Sequence, residues 1–314
     1  MRVCTIEKVL LPIDGSLPSK RALEFAACLL SPFKEKVKRV TLIHVLGGGY
    51  LSSHMANIDI RAEILKETAQ FKRLKEQYLE KNIRPMFAEA KETLRSLGLT
   101  VPVEEVVLDG DPAREIVNFA KENGYSTIIM GRRGLSPLKE FVLGSVTQSV
   151  IHRSGCHTTY VVGQKVLVNG CPIPRVLIPI DGSPNSLAAV KEVACLAEIA
   201  GRGWIEEIAL LHVIDIALGE RLNDGQRLEG EDILATAREI LLEAGIPDEI
   251  LKREVRLGRP AEEIVRLAEE GGFNLVVMGR RGRSHIKEFV LGSVSATVLH
   301  RIVNPTLALV CMED

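Results

Sequence analysis

Short, nearly continuous apolar runs alternate along this chain with stretches whose apolar residues recur at helical spacing. KVLLPIDGS (8–16), TLIHVL (41–46) and STIIMG (126–131) contain runs of the first kind. After PIDGS the apolar residues Ala22, Leu23, Phe25, Ala26, Leu29 and Leu30 fall on one helical face. Strands that are apolar throughout, instead of alternating with polar positions, suit a parallel sheet covered by helices on both faces. The pattern therefore predicts an α/β fold.

The same series then returns. RVLIPIDGSP (175–184) answers KVLLPIDGS, ALLHVI (209–214) answers TLIHVL, VRLGRPAEEIV (255–265) answers VVLDGDPAREIV (106–117), and NLVVMG (274–279) answers STIIMG. Leu187, Val190, Val193, Ala194 and Ala197 repeat the helical face. Two copies of one domain, residues 1–165 and 166–314, account for nearly the whole chain. Residues 163–174, with Gly170, Pro172 and Pro174 as breakers, are the predicted connection. A helical region is predicted over residues 60–97, and a much shorter counterpart over 232–244. Residues 47–57 and 215–226 read as mobile, solvent-facing loops, and their difference predicts unequal ligand access to the two halves.

Composition narrows the picture. A chain of 314 residues that is 46% hydrophobic can bury two cores without disulfides. Its 40 basic and 41 acidic residues leave a net charge of -1, which removes the global electrostatic case for nucleic-acid binding. No run reaches eighteen apolar residues, and Glu7 and Asp14 interrupt the N-terminal stretch, so neither a membrane span nor a secretory signal is expected and the chain reads as cytoplasmic. Six cysteines without a C-x-x-C pair predict reduced thiols, with Cys28 and Cys195 acting as small buried apolar residues.

The most specific signal is a loop. Residues 130–146, MGRRGLSPLKEFVLGSV, and 278–294, MGRRGRSHIKEFVLGSV, differ at only three places. Each follows a strand, spaces two glycines as G-x-x-G, and ends in Gly-Ser before a helical pattern. Gly131 and Gly134 permit close backbone approach or positive φ, while helix-start amides and the Ser145 hydroxyl can donate to phosphate oxygens. Gly279, Gly282, Gly292 and Ser293 repeat the arrangement, so a phosphate cradle is predicted in each half. The spacing is neither G-x-G-x-x-G nor G-x-x-x-x-G-K-[ST]. Arg132, Arg133 and Lys139, and more strongly Arg280, Arg281, Arg283 and Lys287, are candidate phosphate contacts, which favours the second half for tighter binding. Asp14 and Asp181, each at a strand end, suit either ligand contact or capping of the following helix.

With the strand ending in PIDGS and the G-x-P segment at 110–112, the G-x-x-G, nine residues, G-[ST] pattern resembles the universal stress protein family in its tandem form, and in particular its nucleotide-binding branch. The resemblance implies two tandem Rossmann-like domains, each a five-stranded parallel sheet in order 3-2-1-4-5 flanked by helices. It also implies ATP or AMP as ligand, with Mg²⁺ on the phosphates. Pro12 would then lie beside the base, and Asp14 near the ribose or the divalent ion. Val45 would line the adenine side, Met130, Gly131 and Gly134 would pass the ribose and phosphates, and Gly144, Ser145 and Val146 would close the phosphate end. Pro179, Asp181, Val213, Met278, Gly279, Gly282, Gly292, Ser293 and Val294 would repeat these roles. Family members commonly dimerise through their last strands, which implies an internal pseudo-dimer, further association of two chains and an unidentified protein partner. The sequence departs from the pattern in its arginine-rich turns and in CHTTYVV (156–162), which lacks a proline that NPTLALV (304–310) keeps.

His44 and His212 occupy matching strand positions, consistent with a shared packed hydrogen bond. His152 and His300 correspond on the helix after Gly-Ser, where a local surface or domain contact is expected. No nucleophile, base and orienting group fall into a recognised set. The expected function is thus a nucleotide-binding stress-response sensor or regulator, against two alternatives, a slow ATP hydrolase and a nucleotide-independent scaffold.

Overall fold

A computed structural model of the chain describes residues 6–47, 69–134, 143–155, 157–166, 173–200, 203–215, 224–282 and 291–311. The first half contributes β1 (Lys8–Pro12), β2 (Arg39–Leu46), β3 (Val103–Asp109), β4 (Thr127–Gly131) and β5 (Thr158–Val162). The second contributes β6 (Arg175–Pro179), β7 (Glu207–Asp215), β8 (Leu251–Gly258), β9 (Leu275–Gly279) and β10 (Thr306–Val310). All ten join in one sheet ordered β3-β2-β1-β4-β5-β10-β9-β6-β7-β8. Within each half neighbouring strands are parallel, so the chain folds as two tandem α/β units with Rossmann-like strand order. The junction is antiparallel: Leu307 lies opposite Val161, Ala308 opposite Tyr160 and Leu309 opposite Thr159.

The helices of the first half are α1 (Leu17–Leu30), α2 (Ala69–Tyr78), α3 (Arg84–Ser96), α4 (Pro112–Glu122) and α5 (Ser145–Arg153); those of the second are α6 (Pro184–Ala200), α7 (Asp224–Glu243), α8 (Pro260–Glu270) and α9 (Ser293–Arg301). Side chains alternate across the sheet, as the period of a strand requires. Val9 and Leu11 join a core with α1 and α3, whereas Leu10 joins another with Ala113, Ile116 and Val150 of α4 and α5. The first of these cores crosses the junction, taking in Val176, Val190 and Leu234 of the second half. The strands inside the sheet are almost wholly buried, while the outermost, β3 and β8, expose Glu104, Glu105, Lys252 and Arg253. Charge at an open edge opposes pairing with a further strand. No helix among the described residues is long and apolar enough to cross a membrane.

Three expectations change. The helix predicted over 232–244 begins at Asp224 and takes up residues expected in a loop. Its first turns pack through Gly230, where an added Cβ would lie 2.8 Å from Cδ2 of His212, and a glycine contact leaves no trace in an apolar pattern. The first-half helix is described from Ala69, with a π-helical turn at Leu79–Ile83, and residues 47–57 and 60–97 of the earlier reading lie partly outside the described residues. Cys195 is disulfide-bonded, not reduced, and both Cys28 and Cys195 are half-buried. One face of each stays open to solvent because the buried stripe of its helix falls on Ala26, Ala27 and Leu29, or on Val193, Ala194 and Leu196.

Within each half, a strand end packs against a helix at glycine. A Cβ on Gly131, at the end of β4, would lie 2.6 Å from both the carbonyl carbon and oxygen of Pro18 in α1. On Gly279, at the end of β9, it would lie 2.7 Å from the carbonyl carbon of Asn185 in α6 and 2.8 Å from its oxygen. Neither glycine has positive φ. The requirement is space, and backbone atoms cannot give way as a side chain can.

Across the junction, the fully buried Tyr160 donates its hydroxyl to Oε1 of Glu192 at 3.0 Å, while within its own half its ring meets Phe25 of α1 at 6.0 Å between centroids. Burial, and then the charge and hydrogen bond of Glu192, hold the phenol well above its ordinary value of 10.0.

Two outcomes follow from these contacts. Gly131→Ala should cost about 3 kcal/mol of unfolding free energy through overpacking against backbone, with Gly279→Ala matching it; urea denaturation measures both, and a cost under about 1 kcal/mol would mean that the helix can back away. Tyr160→Phe should cost about 1–2 kcal/mol at neutral pH. Because the folded phenol titrates above the unfolded one, its stabilisation is whole below pH 10.0 and is lost as pH rises through the folded value. Wild type should therefore lose stability above pH 10.0 more steeply than the Phe variant, and parallel curves would exclude the linkage.

Candidate functional site

Open α/β sheets present ligands with a crevice beyond the carboxyl ends of the strands, where the strand order reverses. Here that place lies between β1 and β4 in the first half, and between β6 and β9 in the second. A cavity of about 290 Å³ opens at the first and one of about 250 Å³ at the second.

Each cavity begins with the turn that follows its first strand. Oδ1 of Asp14 accepts a hydrogen bond from the Ser16 amide at 3.0 Å, and Oδ1 of Asp181 accepts one from the Ser183 amide at 3.0 Å. Between them Gly15 and Gly182 take φ of 77° and 80°, a conformation that glycine adopts without a Cβ penalty. Capping falls to the serines: the Ser16 hydroxyl accepts from the Ser19 amide at 3.3 Å, and Ser183 from the Ser186 amide at 3.2 Å. The aspartates are thus not the helix caps. Their second oxygens turn toward the glycine loop, where a Cβ on Gly134 would lie 2.3 Å from Oδ2 of Asp14, and one on Gly282 would lie 2.4 Å from Oδ2 of Asp181.

The opposite wall is a helix start. Gly144 is the N-cap of α5, held by its amide to the carbonyl of Arg132 at 3.0 Å; Gly292 is the N-cap of α9, held to the carbonyl of Arg280 at 2.8 Å. In the first turns, Thr147 Oγ1 donates to the Gly131 carbonyl at 3.0 Å and Ser295 Oγ to the Gly279 carbonyl at 2.9 Å, both buried. These bonds fasten each helix to the end of its strand, with its first residues lining the cleft.

The structure gathers all nine candidate residues of the first half around one cavity: Pro12, Asp14, Val45, Met130, Gly131, Gly134, Gly144, Ser145 and Val146. Their nine counterparts, Pro179, Asp181, Val213, Met278, Gly279, Gly282, Gly292, Ser293 and Val294, surround the other. Ile13, Ile43 and Ile116 add apolar wall to the first, and Ile180, Leu211 and Ile264 to the second. Sequence reading passed over these and over Thr147 and Ser295, although the recurrence of G-S-V-[ST] in both copies marks the last pair. His44 and His212 each place Nδ1 against the carbonyl just past the first strand of their half, Ile13 at 2.7 Å and Ile180 at 2.8 Å, so they tie the second strand to the end of the first.

The loop arginines divide. Arg133 and Arg281 line their clefts. Arg132 and Arg280 do not: both are buried, and both reach into the opposite half. Burial lowers the Arg132 guanidinium to about 10 despite the nearby Glu269, which leaves it charged at neutral pH. Lys139, Arg283 and Lys287 lie outside the described residues.

The model of the universal stress protein family matches residues 5–162 and again 172–309. Universal stress protein YxiE of Bacillus subtilis is 34% identical over 160 residues, covering 48% of this chain and 94% of that protein. Universal stress protein Slr1230 of Synechocystis is 25% identical over 307 residues, 96% of this chain and 99% of the other. The crystal structure of a universal stress protein from Archaeoglobus fulgidus superposes with a TM-score of 0.67 at 23% identity, covering 98% of each chain, a likeness of fold. Two matched segments spanning nearly the whole chain, on two copies of one α/β unit, make this chain a member of the universal stress protein family that carries the family's domain twice.

Proposed function

We propose that this chain binds an adenine nucleotide, ATP or AMP, in each of its two clefts, and serves as a nucleotide-responsive sensor or regulator in the stress response. The observation that carries the reading is the duplicated cleft at the two topological switch points, apolar on one side and faced by a helix start on the other. Val45, Ile43 and Ile116 offer the surface a purine base needs, and the helix-start amides of Ser145 and Val146 suit phosphate oxygens. Another universal stress protein has been solved in complex with cAMP; for this chain the reading rests on the clefts themselves.

A divalent ion fits this proposal only as a companion of the phosphates. Among the described residues no group of three or more His, Cys, Asp or Glu could hold a metal. Each cleft offers one carboxylate, Asp14 or Asp181, and one carboxylate beside phosphate oxygens is a usual way to hold Mg²⁺. In the same proposal, association of two chains would use a surface other than the last strands, because β5 and β10 already pair with each other.

Native mass spectrometry of the full chain titrated with ATP and Mg²⁺ should show saturable adducts, up to two per chain. Gly134→Val should remove one and Gly282→Val the other, since each Cβ displaces a carboxylate, not the backbone. Absence of adducts at millimolar ATP would overturn the proposal.

A further inference from the structure

Arg132 and Arg280 are the first arginines of the two G-R-R-G turns, and each makes two connections of different kinds. Through its carbonyl it holds the N-cap of its own half's cleft helix: Arg132 to Gly144, Arg280 to Gly292. Through its guanidinium it holds the far end of the other half's cleft helix. Nη1 of Arg280 donates to Ser154 Oγ at 2.6 Å and Nη2 to the Ile151 carbonyl, both at the C-terminal end of α5. Nη2 of Arg132 donates to the His300 carbonyl, at the C-terminal end of α9, at 3.0 Å.

The connections close a ring. The first loop holds the start of α5, whose end is held by the second loop; the second loop holds the start of α9, whose end is held by the first. Both clefts lie on this ring, because Arg133 and Gly134 line one and Arg281 and Gly282 the other. A cation on the last carbonyls of a nine-residue helix is favourable in itself, through charge-assisted hydrogen bonds and the helix dipole. It also fixes where the helix start stands.

We infer that Arg132 and Arg280 are positioning residues acting in trans, each governing the affinity of the cleft in the opposite half and thereby coupling the two. This rests on the proposal that the clefts bind nucleotide. The two anchors are unequal. Arg280 engages two acceptors, whereas the position matching Ser154 is Ile302, which has no hydroxyl, and Nε of Arg132 is buried without a hydrogen-bond partner. The first cleft therefore depends on Arg280 more than the second depends on Arg132.

Hydrogen exchange followed by mass spectrometry separates the clefts, since residues 143–150 report on α5 and 291–298 on α9. In wild type, ATP with Mg²⁺ should slow exchange in both segments. In Arg280→Ala, which keeps the backbone carbonyl on Gly292, the ATP concentration for half-maximal protection of 143–150 should rise on the order of tenfold, a typical coupling. That for 291–298 should move less than about threefold. Arg132→Ala should show the mirror pattern with a smaller shift. Arg280→Lys, which keeps the charge but not the two-pronged fork, should recover part of the affinity of the first cleft and guards against a misfolded alanine variant. Protection in wild type with unshifted titrations in Arg280→Ala, or with the larger shift at 291–298, would overturn the trans role alone. Absence of ATP-dependent protection in wild type would overturn the nucleotide reading, and this inference with it.

Discussion

The antiparallel pairing of β5 with β10 governs the rest of this molecule. Strands at the end of a sheet carry unpaired amides and carbonyls that must find partners. By satisfying each other they turn two five-stranded sheets into one and bury Tyr160 beside Glu192 of the opposite half. They also bring α5 and α9 over one core, to which Ile151, Val298 and Leu299 all belong. Only with those helices adjacent can a guanidinium from one loop reach the end of the other half's helix. The chain leaving β5 reinforces the arrangement, because the amides of Gln164 and Lys165 donate to the carbonyls of Val303 and Asn304 just before β10.

Much of the architecture was legible in the sequence because buried parallel strands have to be apolar on both sides, and those of β1, β4, β6 and β9 are. The glycine loops were legible through their repetition. What the sequence hid was the reason for each glycine. Gly131 and Gly279 leave room for a helix backbone, Gly134 and Gly282 for a carboxylate, and Gly144 and Gly292 cap a helix. Spacing alone cannot separate these causes, since all three favour the smallest residue. The start of α7 at Asp224 was hidden for a related reason: its first buried contact is Gly230 against His212, and Leu228 in the same turns faces solvent.

The arginine pairs show where local reasoning stops. A basic dipeptide in a glycine turn invites one role for both residues, and the sequence reading gave them one. Their separation depends on which side of the loop the partner half occupies, a fact of tertiary structure that no window of neighbouring residues contains. Pairing a buried guanidinium with helix-end carbonyls also satisfies groups that a helix leaves without intrahelical partners, so two local deficits cancel across the junction.

Ser154 and Ile302 occupy matching positions at the ends of α5 and α9, yet only one offers a hydroxyl to an arginine. In an assembly of two identical chains, any substitution at such a place is made on both sides of the symmetry axis and must suit both. Joining the halves in one chain removes that obligation. Each side of the junction can then be altered singly while the tether holds its partner at high effective concentration. An inequality between the two clefts is thus a property that fusion permits and that strict twofold symmetry forbids.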